Sequence, residues 1–273
     1  MNIAFIGGGN MATALIAGLL REGLAPAQIR VVEVDPGRLA ALRREQGVEG
    51  SAAPDAALRG TDAVVFAVKP QHMQAACTEC RPWLGSGFAL TIAAGIPAAS
   101  VAAWSGQPQV VRAMPNTPAL IGAGITGLWA GAGLPPAARG LAERIMRAAG
   151  EVVWFDDEAM LDAVTAISGS GPAYVFLFIE ALQAAAEQMG MTAEQARRLS
   201  VATFRGAAQL ASQSGEPLAV LRERVTSKGG TTAAALEKIA SFGLRERFIE
   251  AVFAALARSR ELARTYGAGD RPS

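Results

Sequence analysis

The ten residues Ile3-Ala-Phe-Ile-Gly-Gly-Gly-Asn-Met-Ala12 constrain this chain more than any others. They carry a short apolar run straight into three glycines and then into an amphipathic stretch. A strand, a tight turn and a helix are expected in that order. Gly7, Gly9 and Ala12 fit G-x-G-x-x-A, the small-residue form of the dinucleotide fingerprint. Gly7 permits the sharp turn, Gly9 lets a pyrophosphate approach the backbone, and Ala12 lets the helix pack closely on the strand. The helix N-terminus would then turn free N–H groups and positive partial charge toward the phosphates. Alone the motif is weak; it gains from an acidic cluster, Val32-Glu-Val-Asp-Pro36, about 20 residues further on. Glu33 is expected at the end of the second strand, where a carboxylate can hold the adenosine ribose hydroxyls, with Asp35 as the alternative. The competing reading is that both carboxylates merely cap the loop. An acid there usually favours NAD over NADP, but Arg38 and Arg43 lie near enough in sequence to leave the choice open.

The first half alternates apolar runs with amphipathic ones. Strands are expected over residues 2–6, 29–33, 63–68, 89–92, 110–112 and 152–155, and helices over 11–22, 38–45, 71–84 and 137–149. The strands are apolar almost throughout, as expected where helices cover both faces of a sheet. That pattern predicts a Rossmann-type, doubly wound, mainly parallel sheet. After about residue 157 no run reads as a strand. Helices are expected over 171–188, 193–212, 218–224, 231–240 and 244–265, with glycine, proline and serine at the joins. The fold class is therefore α/β plus all-α, with a dinucleotide-binding domain over 1–157 and an all-helical domain over 158–273. Ala173-Tyr-Val-Phe-Leu-Phe-Ile179 is apolar almost all round its helix, which calls for burial within the domain or against a second copy. A dimer built through the helical domain is expected.

Several function classes lose ground at this stage. The 25 basic and 24 acidic residues leave a net charge of +1 without long runs of one sign, which gives no electrostatic reason to expect nucleic acid or an anionic membrane. No secretory leader is read, the most apolar window is interrupted by Glu180, and the cytoplasm is the expected location. Cys77 and Cys80 form C-T-E-C, but there is no second pair and His72 is the single histidine, so neither a zinc site nor a metal of any kind is expected. The same scarcity of histidine disfavours Ser-His-Asp and Cys-His catalysis. His72 is expected at the surface or at the cofactor rim.

Four further segments occur in a telling order: Ala67-Val-Lys-Pro70, Arg112-Ala-Met-Pro-Asn-Thr-Pro118, Ser168-Gly-Ser-Gly-Pro-Ala-Tyr174 and Val225-Thr-Ser-Lys-Gly-Gly-Thr-Thr232. With the glycine fingerprint, they give a chain that resembles pyrroline-5-carboxylate reductase over essentially its whole length. The resemblance implies NADPH- or NADH-dependent reduction of 1-pyrroline-5-carboxylate to L-proline, the last step of proline biosynthesis. It also implies a homodimer or higher homo-oligomer whose helical domains interlock, with the active site between one subunit's nucleotide domain and its partner's helices. By position, Gly9, Asn10 and Met11 would line the pyrophosphate, and Val68, Lys69 and Pro70 the adenosine and ribose side. Ala93, Ala94 and Asn116 would approach the nicotinamide. Ser227, Gly229, Gly230, Thr231 and Thr232, with Ser168, would bind the substrate, and Thr232 would be catalytic.

Each of these segments also has an ordinary structural reading. Gly229 to Thr232 is a glycine loop with a threonine cap. Ser168 to Pro172 is a good helix start, and Asn116 sits in a turn that proline and asparagine favour. The chain departs from the family's usual S-P-G-G-T-T, having Lys228 for proline, and the stretch from Pro217 to Ser227 is one residue longer than usual.

Rival readings remain. A β-hydroxyacid dehydrogenase would need lysine and asparagine on the corresponding helix, where Val175 and Ile179 stand. A 2-hydroxyacid dehydrogenase would need a histidine. An imine reductase for a neighbouring cyclic imine stays open. A non-catalytic dinucleotide sensor would keep Gly7, Gly9 and Glu33 but would not need the glycine–threonine loop.

Overall fold

The structure is a computed structural model that describes residues 1–267. Its first half runs β1 (Ile3–Ile6), α1 (Asn10–Arg21), β2 (Ile29–Val32), α2 (Pro36–Gln46), β3 (Glu49–Ser51), β4 (Ala63–Phe66), α3 (Met73–Cys80), β5 (Phe88–Thr91), α4 (Ala98–Ser105), β6 (Val110–Met114), β7 (Gly124–Ala130), α5 (Pro136–Arg147) and β8 (Gly150–Trp154). The helical part follows as α6 (Met160–Val164), α7 (Gly171–Gln188), α8 (Ala193–Gln213), α9 (Leu218–Arg224), α10 (Thr231–Ser241) and α11 (Leu244–Gly267).

The eight strands form one sheet in the order β3-β2-β1-β4-β5-β6-β7-β8. All pairs are parallel except β6 with β7. Alternate strand residues enter two separate cores, as the two-residue period of a strand requires. Ile3, Phe5, Val65 and Leu90 pack with Leu15, Ile16 and Leu19 of α1 and Ile145 of α5. Ala4, Ile6, Phe66 and Ala89 pack with Met73 and Cys77 of α3 and Val101 of α4. Each fully buried Leu, Ile or Phe contributes roughly 1.5–3 kcal/mol.

The strands of the doubly wound half appear where their apolar runs predict them. The rest shows what periodicity misses. β7 carries Gly124 and Gly127, which read as loop; a Cβ at Gly127 would meet Val164 of α6 at 2.8 Å, so the glycine admits that helix. β3 is three residues long, and α4 is short and alanine-rich. The helix expected over 71–84 is shorter, because Pro70 and Pro82 sit in 3-10 turns at Pro70–His72 and Arg81–Trp83, leaving α3 between them. Cys77 and Cys80 lie on its buried face, and burial pushes both thiols up to about 12.

By packing, the described chain divides into two compact units. One takes in Met1–Ser170 together with the described residues from Ala254, and the other is Gly171–Phe253. The change from strands to helices near residue 157 is therefore not where the packing divides. α6 still packs on the sheet, and Ser259 of α11 returns to the first unit, donating to Asp162 at 2.7 Å. Within Gly171–Phe253, Tyr174 and Phe178 make edge contacts with Phe248. None of α7 is buried in the single chain, and Phe176 and Leu177 are 65% and 61% exposed. The apolar stretch is also longer than the sequence suggests. α6, a π-helical turn and α7 run on as one helix over Met160–Gln188, long and apolar enough by length and composition to cross a membrane.

Gly18 of α1 lies directly against the end of α5. A Cβ there would stand 2.0 Å from the Ala148 carbonyl oxygen. Gly18→Val is expected to lower stability by about 1–3 kcal/mol, the usual cost of forcing methyls into a packed site. Urea unfolding followed by circular dichroism measures this; an unchanged midpoint would show that the helices are free to separate.

Candidate active site

The β1–α1 turn is fixed by its glycines. Gly7 has φ +96°, and a Cβ there would stand 3.0 Å from both the Ala67 carbonyl oxygen and Val68. Gly8 has no room either, since its Cβ would meet Leu42 at 2.6 Å. Gly9 is different: nothing lies within 4 Å of its added Cβ. It is the N-cap of α1, no side chain caps that helix, and its first turn holds no acid. The first intrahelical bond runs from Thr13 N to Gly9 O, so the N–H groups of Asn10, Met11 and Ala12 have no acceptor within the helix. An uncapped helix N-terminus with open space before it suits a pyrophosphate.

Glu33 follows β2 and is 5% exposed. Its Oε2 accepts from Gly8 N at 2.7 Å and its Oε1 from Asp35 N at 2.9 Å. Asp35 is the N-cap of α2, and its Oδ1 accepts from Gly37 N at 2.8 Å and Arg38 N at 3.1 Å. The capping reading of Asp35 thus describes what its carboxylate does here.

The remaining first-unit residues cluster at the C-terminal ends of parallel strands. Val68, Lys69 and Pro70 follow β4, and Ala93 and Ala94 follow β5. Asn116 follows β6; it is 9% exposed, and its Oδ1 accepts from Ile125 N at 3.0 Å. That bond does the work of a turn and leaves the amide nitrogen for another partner. The strand order reverses between β1 and β4, and ligands of open α/β sheets bind in the crevice at such a point. His72, exposed, precedes α3 on the same side.

Ser168 lies in the π-helical turn Thr165–Gly169, where Ser170 N donates to Thr165 O at 2.9 Å. A Cβ at Gly169 would meet the terminal methyl of Met114 at 2.7 Å, so a side chain there would push that methyl aside. The serine-glycine segment is thus a π-turn that runs into α7, where the sequence reads only a helix start; π-turns are frequent at functional sites.

In the second unit, Ser227, Lys228 and Gly229 form an exposed turn closed by Gly230 N donating to Ser227 O at 3.0 Å. Gly229 has φ +71°, and a Cβ at Gly230 would stand 2.4 Å from Ser227 Oγ. Gly230 is the N-cap of α10, which has no side-chain cap. Its first backbone bond is Ala234 N to Gly230 O, so the N–H groups of Thr231, Thr232 and Ala233 are without intrahelical acceptors. Lys228 takes the place of proline without a left-handed backbone.

The sequence reading missed Arg112 and Glu158 as a pair. Glu158 Oε1 accepts from Arg112 Nη1 at 2.8 Å and from Ala98 N at 2.7 Å, which pins the start of α4 just after the loop bearing Ala93 and Ala94. A lone glutamate 46 residues from its arginine leaves no local signal.

Comparison with known proteins decides the family. A curated pyrroline-5-carboxylate reductase of Pseudomonas aeruginosa is 45% identical over 267 residues, covering 97% of this chain and 98% of its own. The chain belongs to the pyrroline-5-carboxylate reductase family. The enzyme of that name from Arabidopsis thaliana is 36% identical over 96% of this chain and 96% of its own. A solved pyrroline-5-carboxylate reductase from Coxiella burnetii superposes with a TM-score of 0.91 at 41% identity, covering 96% of this chain and 98% of that one. The Plasmodium falciparum pyrroline carboxylate reductase, solved with NADP bound, gives 0.85 at 26% identity over 96% and 98%. Two family models match: one described as pyrroline-5-carboxylate reductase dimerisation, over residues 158–262, and one as NADP oxidoreductase, coenzyme F420-dependent, over residues 2–95.

For a pyrroline-5-carboxylate reductase, the open space at Gly9 allows a selective test. Gly9→Ala is expected to change stability by about 1 kcal/mol or less, while weakening binding of NADH and NADPH at least about tenfold, a loss of some 1.4 kcal/mol. Thermal unfolding and fluorescence titration with each coenzyme separate the two effects. Undiminished coenzyme binding would mean that the α1 N-terminus is not where the phosphates sit.

Proposed function

We propose that this protein reduces 1-pyrroline-5-carboxylate to L-proline with NADPH or NADH, as a homodimer or a higher homo-oligomer acting in the cytoplasm. The observation that carries this reading is the 45% identity to a curated pyrroline-5-carboxylate reductase over nearly the whole of both chains. The geometry supports it with two uncapped helix N-termini, one at Gly9 and one at Gly230, each suited to an anion.

Reduction of a cyclic imine places a hydride on carbon and a proton on nitrogen. The reduced nicotinamide, when bound, supplies the hydride. The chain's own residues hold and orient. Asn10, Met11 and Ala12 offer backbone N–H groups to the pyrophosphate, and Gly9 leaves the approach clear. Val68, Lys69 and Pro70 border the adenosine and ribose. Ala93, Ala94 and Asn116 flank the nicotinamide, with Asn116 anchored by Ile125 N and the Ala93 loop anchored by Glu158.

On the substrate side, the free N–H groups opening α10 hold the carboxylate, with Ser227 and Gly229 shaping the turn and Ser168 as a further substrate-binding residue. Thr232, half-buried in the first turn of α10, donates its hydroxyl hydrogen toward the ring nitrogen. Hydrogen bonding from that hydroxyl makes the neutral imine a better hydride acceptor, the proton follows the hydride onto nitrogen, and water returns a proton to Thr232.

The exposed apolar side chains of α7 are what a second subunit would cover. A bare helix with Phe176 and Leu177 turned to water is unfavourable by about 25 cal/mol per Å² of apolar surface.

Purified protein mixed with pyrroline-5-carboxylate and NADPH or NADH should oxidise the coenzyme, read as loss of its near-ultraviolet absorbance, with proline as product. No loss with either coenzyme would overturn the proposal. Thr232→Ala should lower kcat by roughly 10²–10⁴-fold, the usual worth of a positioned proton donor, with coenzyme affinity little changed. Equal losses in turnover and coenzyme binding would remove Thr232 from this role.

A further inference from the structure

We propose that Glu33 makes this chain select NADH over NADPH by excluding a 2′-phosphate from the adenosine subsite. The inference rests on the dinucleotide reading above.

Sequence alone leaves the choice open, because Arg38 and Arg43 could each receive the phosphate. The structure separates them. Arg43 turns away to donate from Nη2 to the Gly50 carbonyl oxygen of β3. Arg38 stays near the subsite, but its Nη1 stands 3.7 Å from Glu33 Oε2, so its charge is offset by a carboxylate already in place. Asp35 is a second carboxylate at the same turn, occupying the N-terminus of α2 through Gly37 N and Arg38 N. That helix end, otherwise suited to a phosphate, is already filled by an acid. Lys69, exposed, follows β4 and makes no ion pair with Glu33 or Asp35.

Glu33 cannot swing aside cheaply. It is 5% exposed, and each oxygen is held by a backbone amide, Gly8 N at 2.7 Å and Asp35 N at 2.9 Å. The carboxylate lies close against the glycine turn: a Cβ at Gly8 would stand 3.3 Å from Glu33 Oε2. A carboxylate oxygen keeps lone pairs for a ribose hydroxyl, which can donate. A 2′-phosphate brings negative charge and acceptors, so it meets repulsion and no donor at Glu33.

The test uses fragments without nicotinamide, so it does not depend on turnover. Calorimetric titration of the purified protein with ADP-ribose and with 2′-phospho-ADP-ribose, at one ionic strength, should give affinity at least about tenfold higher for ADP-ribose. Glu33→Gln should bring the two within about threefold. Because a glutamine there sets an amide N–H against one of the two backbone donors, a second variant keeps the test independent of the loop. Arg38→Ala should widen the preference for ADP-ribose by weakening the phosphorylated fragment alone. Equal or tighter binding of the phosphorylated fragment by the unaltered protein would overturn the inference, as would an unchanged ratio in both variants. If neither fragment bound, the dinucleotide reading itself would fall.

Discussion

The turn out of β1 governs everything placed around it. Gly7 takes φ +96° because the chain must reverse into α1 within van der Waals reach of the Ala67 carbonyl, and no side chain fits there. That reversal aims the N-terminus of α1 across the end of β4. The same turn is bound sideways to β2 by Glu33, whose two oxygens hold Gly8 and Asp35. A change in any of these contacts would shift the N-terminus of α1, the approach to α2 and the close packing together, because one short loop carries all three.

The helical region follows a different logic. Its helices make few buried contacts of their own: α7 has no buried residue, and Phe242, Leu210, Leu218 and Phe253 are more than half exposed. A dimerisation family model covers residues 158–262, which include all of these side chains. A helix that is apolar and bare in one chain fits the match to such a model, because an exposed apolar face of this kind marks a surface suited to association. The π-turn at Thr165–Gly169 belongs to the same region. It widens the helix by one residue per turn where Gly169 passes the terminal methyl of Met114.

How much of this was legible in the sequence depended on how local the signal was. The Gly7–Gly9–Ala12 turn, the strands β1, β2, β4 and β5, and the start of α10 all announce themselves within a few residues, through apolar runs and through glycine. β7 did not, because Gly124 and Gly127 suppress the strand pattern; their purpose becomes visible only when Gly124 is seen against Ala119 and the Ala149 carbonyl, and Gly127 against α6. The Arg112–Glu158 pair was invisible for a related reason: an ion pair between distant segments has no period and no spacing. For Glu33, the type of residue and its place at the end of β2 could be read. What its oxygens bond to could not.

The sequence by itself determined the dinucleotide turn, the change from alternating strands and helices to helices alone, and the family, because each is written in short contiguous patterns or in their order. Only the tertiary structure decided that the chain from Ala254 packs back on the first unit. It alone showed that Arg43 is drawn off to β3 while Arg38 stays beside Glu33. Those outcomes rest on which side chains meet after the sheet has formed, and charge or polarity in a linear chain does not say which partner a group will reach.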